Sequence, residues 1–333
     1  MNRRKPRAAL LISFLLFMAA LGVCPFVGPA DLSWRSLVPG STHPDSVIFF
    51  SVRLPRVLLA LLAGAALSCA GVVFQTALRN PLACPYTLGV AGGASLGAVV
   101  SFLMPWPAAV AGFPTLTLSS LAGSFFAILL VLGVSSSVRP LSVPTLVLGG
   151  VTVNFLFNAL VILLHQAADP AQGASVLHWL LGSLDAADPP SVLRLILGFA
   201  PAVILLLFIA RDLDLLAAGE EFASSRGVAT ARTTALSLTI ASLLTGLVVA
   251  HAGPIGFVGL LVPHALRPFT GPGHRRLLIA SGLAGGAFLA SCDAVARSIL
   301  SPAEVPVGVI TALLGGTVFL FLLFRMRRPF SLR

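Results

Sequence analysis

The residues Gly93-Ala94-Ser95-Leu96-Gly97 match G-x-S-x-G, the elbow that lifts a serine nucleophile out of a strand-to-helix turn. Attack by Ser95 requires a base. His251 in "HAGP" or His264 in "VPHALR" would supply one, which makes an intramembrane serine protease the enzymatic reading. The surroundings favour a different use. Ser95 lies inside an apolar run, and Gly89, Gly93 and Gly97 recur every four residues, the spacing that lets two membrane helices approach closely.

The other reactive side chains are poorly arranged for metal or redox chemistry. His43, His165, His178, His251, His264 and His274 are scattered without an H-E-x-x-H pair, and Cys24, Cys69, Cys84 and Cys292 stand singly, without C-x-x-C. We expect no metal site and no cofactor bound by this chain. Hydrolysis of ATP by the chain itself is excluded, because a P-loop needs a lysine on the phosphates and the only lysine is Lys5, in the amino-terminal tail. Proton-coupled carriage uses chains of buried carboxylates, and here Asp293 is the only acid near a helix interior. It stands four residues before Arg297, the spacing of an ion pair along one helix face. A carrier driven by an ion gradient alone is therefore a third reading.

Membrane helices must position these residues. Hydrophobic residues make up 57% of the 333 positions and charged residues 10%, against about 25% charged in soluble domains. The mean hydropathy is +1.00. The apolar gaps between charges, measured against the ~20 residues that cross a bilayer, give an all-α polytopic membrane protein with ten spans in a single transmembrane domain, 1–333. The spans are placed at about 8–30, 57–78, 87–104, 114–136, 144–166, 192–210, 233–251, 255–267, 277–297 and 306–324. "MPWPA" (104–108) and "HAGP" (251–254) supply turns within the longer gaps, and Arg194 and Arg297 snorkel from the ends of two short ones. The first span is read as a retained helix, because Val23 occupies the position before Cys24 where a lipoprotein cleavage site needs a small residue.

Charge fixes the orientation. Of 21 Lys and Arg, only Arg35, Arg53, Arg56, Arg194 and Arg297 fall on the side opposite the amino terminus, so both termini are placed in the cytoplasm. Trp34, Trp106 and Trp179 then lie in or beside outer loops. Basic inner loops facing anionic lipid account for the net charge of +10 without nucleic acid. One inner segment, 211–232, differs from the rest: charged with both signs and interrupted by Gly219 and Gly227, it reads as two short surface helices. Leu213, Leu216 and Phe222 form its apolar side and Asp214, Glu220, Glu221 and Arg226 its polar side, a form suited to docking a soluble partner.

Four blocks carry a resemblance. They are Arg53–Ala98 ("RLPRVLLALLAGAALSCAGVVFQTALRNPLACPYTLGVAGGASLGA"), Gly219–Val228 ("GEEFASSRGV"), Gly253–Arg267 ("GPIGFVGLLVPHALR") and Asp293–Gly316 ("DAVARSILSPAEVPVGVITALLGG"). Together they resemble the FecCD-type permeases of bacterial ABC importers for iron-siderophores, haem and vitamin B12. The resemblance implies a vitamin B12 permease-like fold with an inverted repeat around the sixth span and a homodimer with its path along the dimer axis. It also implies two ATP-binding cassette subunits, which use the ATP and Mg, and an extracytoplasmic substrate-binding protein, besides the surrounding lipid.

Carried over by residue, the resemblance assigns binding-protein docking to Arg53, Arg56 and Arg297, and ATPase coupling to Gly219, Glu220, Glu221, Phe222, Arg226 and Gly227. It assigns a cytoplasmic gate to Asn80 and Leu82 in "RNPLA" and to a second loop at Ser142–Thr145, including Ser142 and Val143. In that second loop, Val143 and Pro144 replace the small hydroxyl residues frequent in relatives. The cargo implied is a ferric siderophore, haem or a cobalamin-type corrinoid, moved by alternating access.

Overall fold

The computed structural model describes residues 4–29, 32, 43–110, 112–136, 143–185, 187–301 and 303–325. Helix α1 (Arg4–Val23) ends in a 3-10 turn, Cys24–Phe26. Next come α2 (Pro44–Val47), a π-helical stretch (Ile48–Arg53) and α3 (Leu54–Ala77), which run on as one helix of 34 residues. Arg53 and Arg56 therefore lie inside a helix and not at its start. Pro44 is tolerated in the first turn, whose N–H groups lack helical partners in any case, whereas Pro55 lies inside the continuous helix, just after the π-helical stretch.

The carboxyl end of α3 closes in a Schellman turn. Asn80 N–H bonds the Gln75 carbonyl at 3.1 Å and Arg79 N–H bonds the Thr76 carbonyl at 3.1 Å. Arg79 occupies the left-handed position, φ 43°, that glycine usually fills. Asn80 then shapes the next bend, its side-chain oxygen accepting from Leu82 N–H at 2.9 Å and its carbonyl from Ala83 N–H at 3.0 Å. A 3-10 turn (Pro85–Leu88) and Gly89, at φ 69°, lead into α4 (Val90–Leu103). Burial raises the pKa of the Cys84 thiol in this bend, with backbone N–H groups of Tyr86 and Thr87 acting against the rise.

A two-residue hairpin, β1 (Ala109–Val110) with β2 (Phe113–Pro114), joins α4 to α5 (Thr115–Ser136). The remaining helices are α6 (Val143–Gln166), α7 (Pro170–Leu180), α8 (Pro189–Phe208), α9 (Ala210–Ala218), α10 (Glu220–Ser225), α11 (Thr230–Ala252), α12 (Val258–Thr270), α13 (His274–Ser298) and α14 (Val307–Arg325). The protein is thus an all-helical polytopic membrane protein. Seven helices among the described residues are long and apolar enough to cross a bilayer; the intervals 87–104, 255–267 and 306–324 hold shorter ones. The bend at 80–89 shortens α4. An extended turn at 253–257 delays the start of α12, which carries Pro263 and Pro268 and runs only 13 residues. Neither α7 nor the extension of α3 back to Pro44 is foreseen by charge spacing.

Helix α3 is buried along almost its whole length, against α13, α11, α12 and α8. Lipid tails are as apolar as leucine, so helices in a bilayer associate by close packing, and small residues permit it. A β-carbon on Gly64 would collide with the Gly285 carbonyl of α13, and one on Gly71 with the Gly259 carbonyl of α12. Gly93 and Gly97 meet the backbone of Gly123 and Ser119 on α5 in the same way. Gly89 departs from the expected seam: it makes the turn before α4.

Candidate functional site

Polar side chains gather at both ends of the α3–α13 pair. At the amino-terminal end of α3, Arg56 donates from Nε to Asp293 at 3.0 Å and from Nη1 to Glu304 at 2.7 Å, and its Nη2 lies 3.0 Å from Asp185. The second carboxylate oxygen of Asp293 accepts from Arg297 Nε at 3.0 Å, the expected pair along one face of α13. Arg297 also donates to the carbonyls of Val27 (2.6 Å) and Cys24 (3.2 Å), and Arg53 to those of Phe26 (3.2 Å) and Pro25 (3.4 Å). One buried carboxylate thus joins two guanidinium groups, and these tie α3 and α13 to the turn after α1.

The three arginines assigned to docking are consequently not presented as open forks. Arg53, Arg56 and Arg297 are 5%, 7% and 2% exposed, and Asp293 is 0% exposed. The accessible part of this network is Glu304 and Asp185, whose side chains are 33% and 43% exposed. Charge counting alone does not find these two acids as partners, because each lies in a loop far along the chain from Arg56.

At the carboxyl-terminal end of α3 the bonds join neutral groups and two arginines to each other and to two partly exposed acids. Gln75 donates to the Leu260 carbonyl of α12 at 3.1 Å and accepts from Arg267 at 3.3 Å. Asp214 of α9 accepts from the backbone N–H of His274 and pairs with its Nδ1, each at 2.6 Å, and His274 Nε2 lies 2.7 Å from the Thr76 hydroxyl of α3. Because an ionised carboxylate only accepts, Nδ1–H is the donor to Asp214; the Thr76 hydroxyl beside Nε2 also donates to the Val72 carbonyl of its own helix at 2.7 Å. Asp214 thus reaches both α13 and α3 from the short helix α9. Beside it, Arg79 pairs with Glu220 of α10 at 3.1 Å. Sequence reading placed Asp214 on a polar face and His274 near a helix end without bringing them together.

Gly219, at φ 133°, separates α9 from α10, and Gly227, at φ 83°, ends the segment. Leu213 and Leu216 are buried as expected, whereas Phe222 is 44% exposed with the Arg226 guanidinium 5.3 Å from its ring centre. Glu221 is exposed, and Glu220 is the member of the group that bonds back to the bundle. Of the gate positions, Asn80 shapes the bend and Leu82 is 38% exposed beside it. Ser142 lies outside the described residues, and Val143 is the first residue of α6.

Ser95 lies buried within α4, between the two glycines that contact α5, and not at a strand-to-helix turn. His251 turns its Nδ1 to the Leu247 carbonyl at 2.8 Å within α11. A residue that motif reading passed over is Phe257, which opens α12 at φ 66° with its ring over Gly315 and Gly316 of α14. Glycine at 315 is required by that ring.

The comparisons agree with one another. A sequence model of the FecCD transport family matches residues 10–325. The chain is 38% identical over 340 residues to the hemin transport system permease protein HmuU of Yersinia pestis, covering 99% of each chain. It is 38% identical over 327 residues to the Fe(3+) dicitrate transport system permease protein FecD of Escherichia coli K12, covering 96% of this chain and 100% of that one. A solved structure of a metal-chelate type ABC transporter in an inward-facing conformation superposes with a TM-score of 0.83 at 32% identity, over 95% of this chain and 99% of that one. The family model and these permeases match over nearly the whole length, and the chain belongs to the FecCD transport family.

Proposed function

We propose that this chain is the membrane-spanning permease subunit of an ATP-driven importer of a metal chelate, with haem, a ferric siderophore or a corrinoid as cargo class. The observation that carries the reading is the grip of α9 and α10 on the bundle: Asp214 holds His274 and through it Thr76, while Glu220 holds Arg79. Two short helices outside the long spans are thereby tied to the ends of α3 and α13, so a push on them moves both. With no P-loop lysine in the chain, the push comes from a separate ATPase pair, and nucleotide-driven closure exchanges outward and inward states.

In this reading α4, α12 and α14 complete ten spans, both termini face the cytoplasm, and two copies form the path between them. Gly219, Glu220, Glu221, Phe222, Arg226 and Gly227 contact the ATPase; the exposed Phe222 supports this, being an aromatic ring left uncovered on a charged segment. Asn80 and Leu82, with Ser142 and Val143, form the cytoplasmic gate. Arg53, Arg56 and Arg297 organise the outer face to which a binding protein docks. Its carboxylates would replace Glu304 and Asp185 on Arg56.

Reconstitution with the partner ATPase in proteoliposomes tests the assignment. Gly219→Pro, which stiffens the break between α9 and α10, is expected to abolish transport and transport-stimulated hydrolysis while binding-protein docking persists. Loss of docking with hydrolysis still coupled would reject it.

A further inference from the structure

We propose that the cleft between α9 and the first turns of α11 binds the phosphate headgroup of an anionic phospholipid, held by Arg211 and Arg232; Arg226, which also lines the cleft, is assigned above to the ATPase contact. The cleft has a volume of about 670 Å³, and Asp212 is the only carboxylate on its wall. Among the described residues, no ion pair joins any of the three arginines to an acid. All three are exposed. Three arginines against one carboxylate leave the cleft net positive, which attracts an anion, and the guanidinium fork matches phosphate oxygens in particular.

The position of the cleft identifies the anion as a lipid. Arg211 follows the last residues of α8, where Phe208 is 80% exposed on the apolar surface. Arg232 stands in the first turn of α11, a helix apolar enough to span the bilayer. Ile209 and Leu236 line the same cleft, and Leu236 lies one turn further into the span than Arg232 and is 47% exposed. A ligand seated here meets cations at the ends of two spans and bare hydrocarbon immediately beyond. That order of polar and apolar surface is the order within a phospholipid. A free phosphate has no use for Leu236, and an acidic side chain of a soluble protein reaches Arg226 without reaching Leu236. The inference requires only that the chain spans a membrane and is independent of its cargo.

The test uses the full chain in phosphatidylcholine nanodiscs carrying spin-labelled phosphatidylglycerol or spin-labelled phosphatidylcholine, with the motionally restricted fraction read by electron paramagnetic resonance. The wild type is expected to restrict phosphatidylglycerol preferentially. In Arg211→Gln/Arg232→Gln the preference should fall about fivefold for each arginine removed. It should persist in the charge-keeping Arg211→Lys/Arg232→Lys, which guards against a folding artefact, and in Arg275→Gln/Arg276→Gln, an exposed basic pair at the start of α13. An unchanged preference in the first variant, or an equal fall in the α13 variant, would overturn the site. So would displacement of the labelled lipid by inorganic phosphate, which marks a free-anion site.

Discussion

At the amino-terminal end of α3, charge is buried and engaged: Asp293 lies between Arg56 and Arg297, Glu304 and Asp185 take further donors of Arg56, and carbonyls of residues 24–27 accept from Arg297 and Arg53. At the carboxyl-terminal end the same two helices are held through Gln75, Thr76 and the His274 ring, and the charged members, Asp214 and Glu220, have side chains 40% and 48% exposed. The two arrangements respond differently to motion. Separating a buried ion from its partner strands a charge in a medium that cannot solvate it. A hydrogen bond to a half-exposed carboxylate can be exchanged for one to water at a small net cost. The Arg56 end is therefore built as a fixed clamp, and the His274 end as a joint that can open and reclose when α9 and α10 move.

Removing Asp293 breaks this contrast most severely. Asp293→Ala leaves two buried arginines without their shared partner and is expected to lower stability by ~3–5 kcal/mol, measured as thermal unfolding in detergent. A loss no greater than that at the other end would show that both ends are equally compliant. Asp214→Ala comes next, at ~1–3 kcal/mol, because the N–H and Nδ1–H of His274 lose their acceptor. Coupled ATP hydrolysis and transport should be lost with it, whereas wild-type coupling would show that the joint transmits nothing.

Asp185→Asn combined with Glu304→Gln sharpens the comparison from the clamp side. Both side chains are partly exposed and Asp293 remains, so each change should cost at most about 1 kcal/mol. Arg56 becomes available to an incoming carboxylate, and binding-protein affinity measured by surface plasmon resonance should rise; a fall would show that the two acids are themselves the contact. The smallest effect on stability is expected for Arg79→Gly. Relief of the left-handed backbone strain is worth ~1 kcal/mol, and loss of the exposed pair to Glu220 costs a similar or smaller amount. The melting temperature should hardly move while coupling weakens, so that a full loss of stability would place Arg79 in the fold and not in the joint.

Much of this architecture is legible in the residues themselves. Charge spacing locates a helix in every interval assigned to a span, the break at Gly219 appears where two short helices were expected, and the Asp293–Arg297 pair follows from its i,i+4 spacing. The assignments that fail to transfer concern what a side chain faces. Arg53 and Arg56 look like outer-loop cations in a linear reading, yet helix α3 begins earlier than the charges suggest and holds them inside; Arg297, at the end of α13, is buried by its bonds to Asp293 and the turn after α1. Gly89 fits a four-residue repeat and serves instead as a turn, since the bend after Asn80 takes up the residues that would have begun the helix.

The sequence alone determines the class of this protein, because a bilayer accepts only backbone whose polar groups are satisfied within helices, and apolar length is a local property of the chain. It also shows the single lysine, Lys5, in the amino-terminal tail and outside any glycine-rich phosphate loop. Pairing is another matter. The carboxylate that meets Arg56, the hydroxyl that meets His274 and the glycine that admits the Phe257 ring come from positions far apart in the chain. Only the tertiary structure brings them together, because their distances are set by how whole helices pack and not by the residues that flank them.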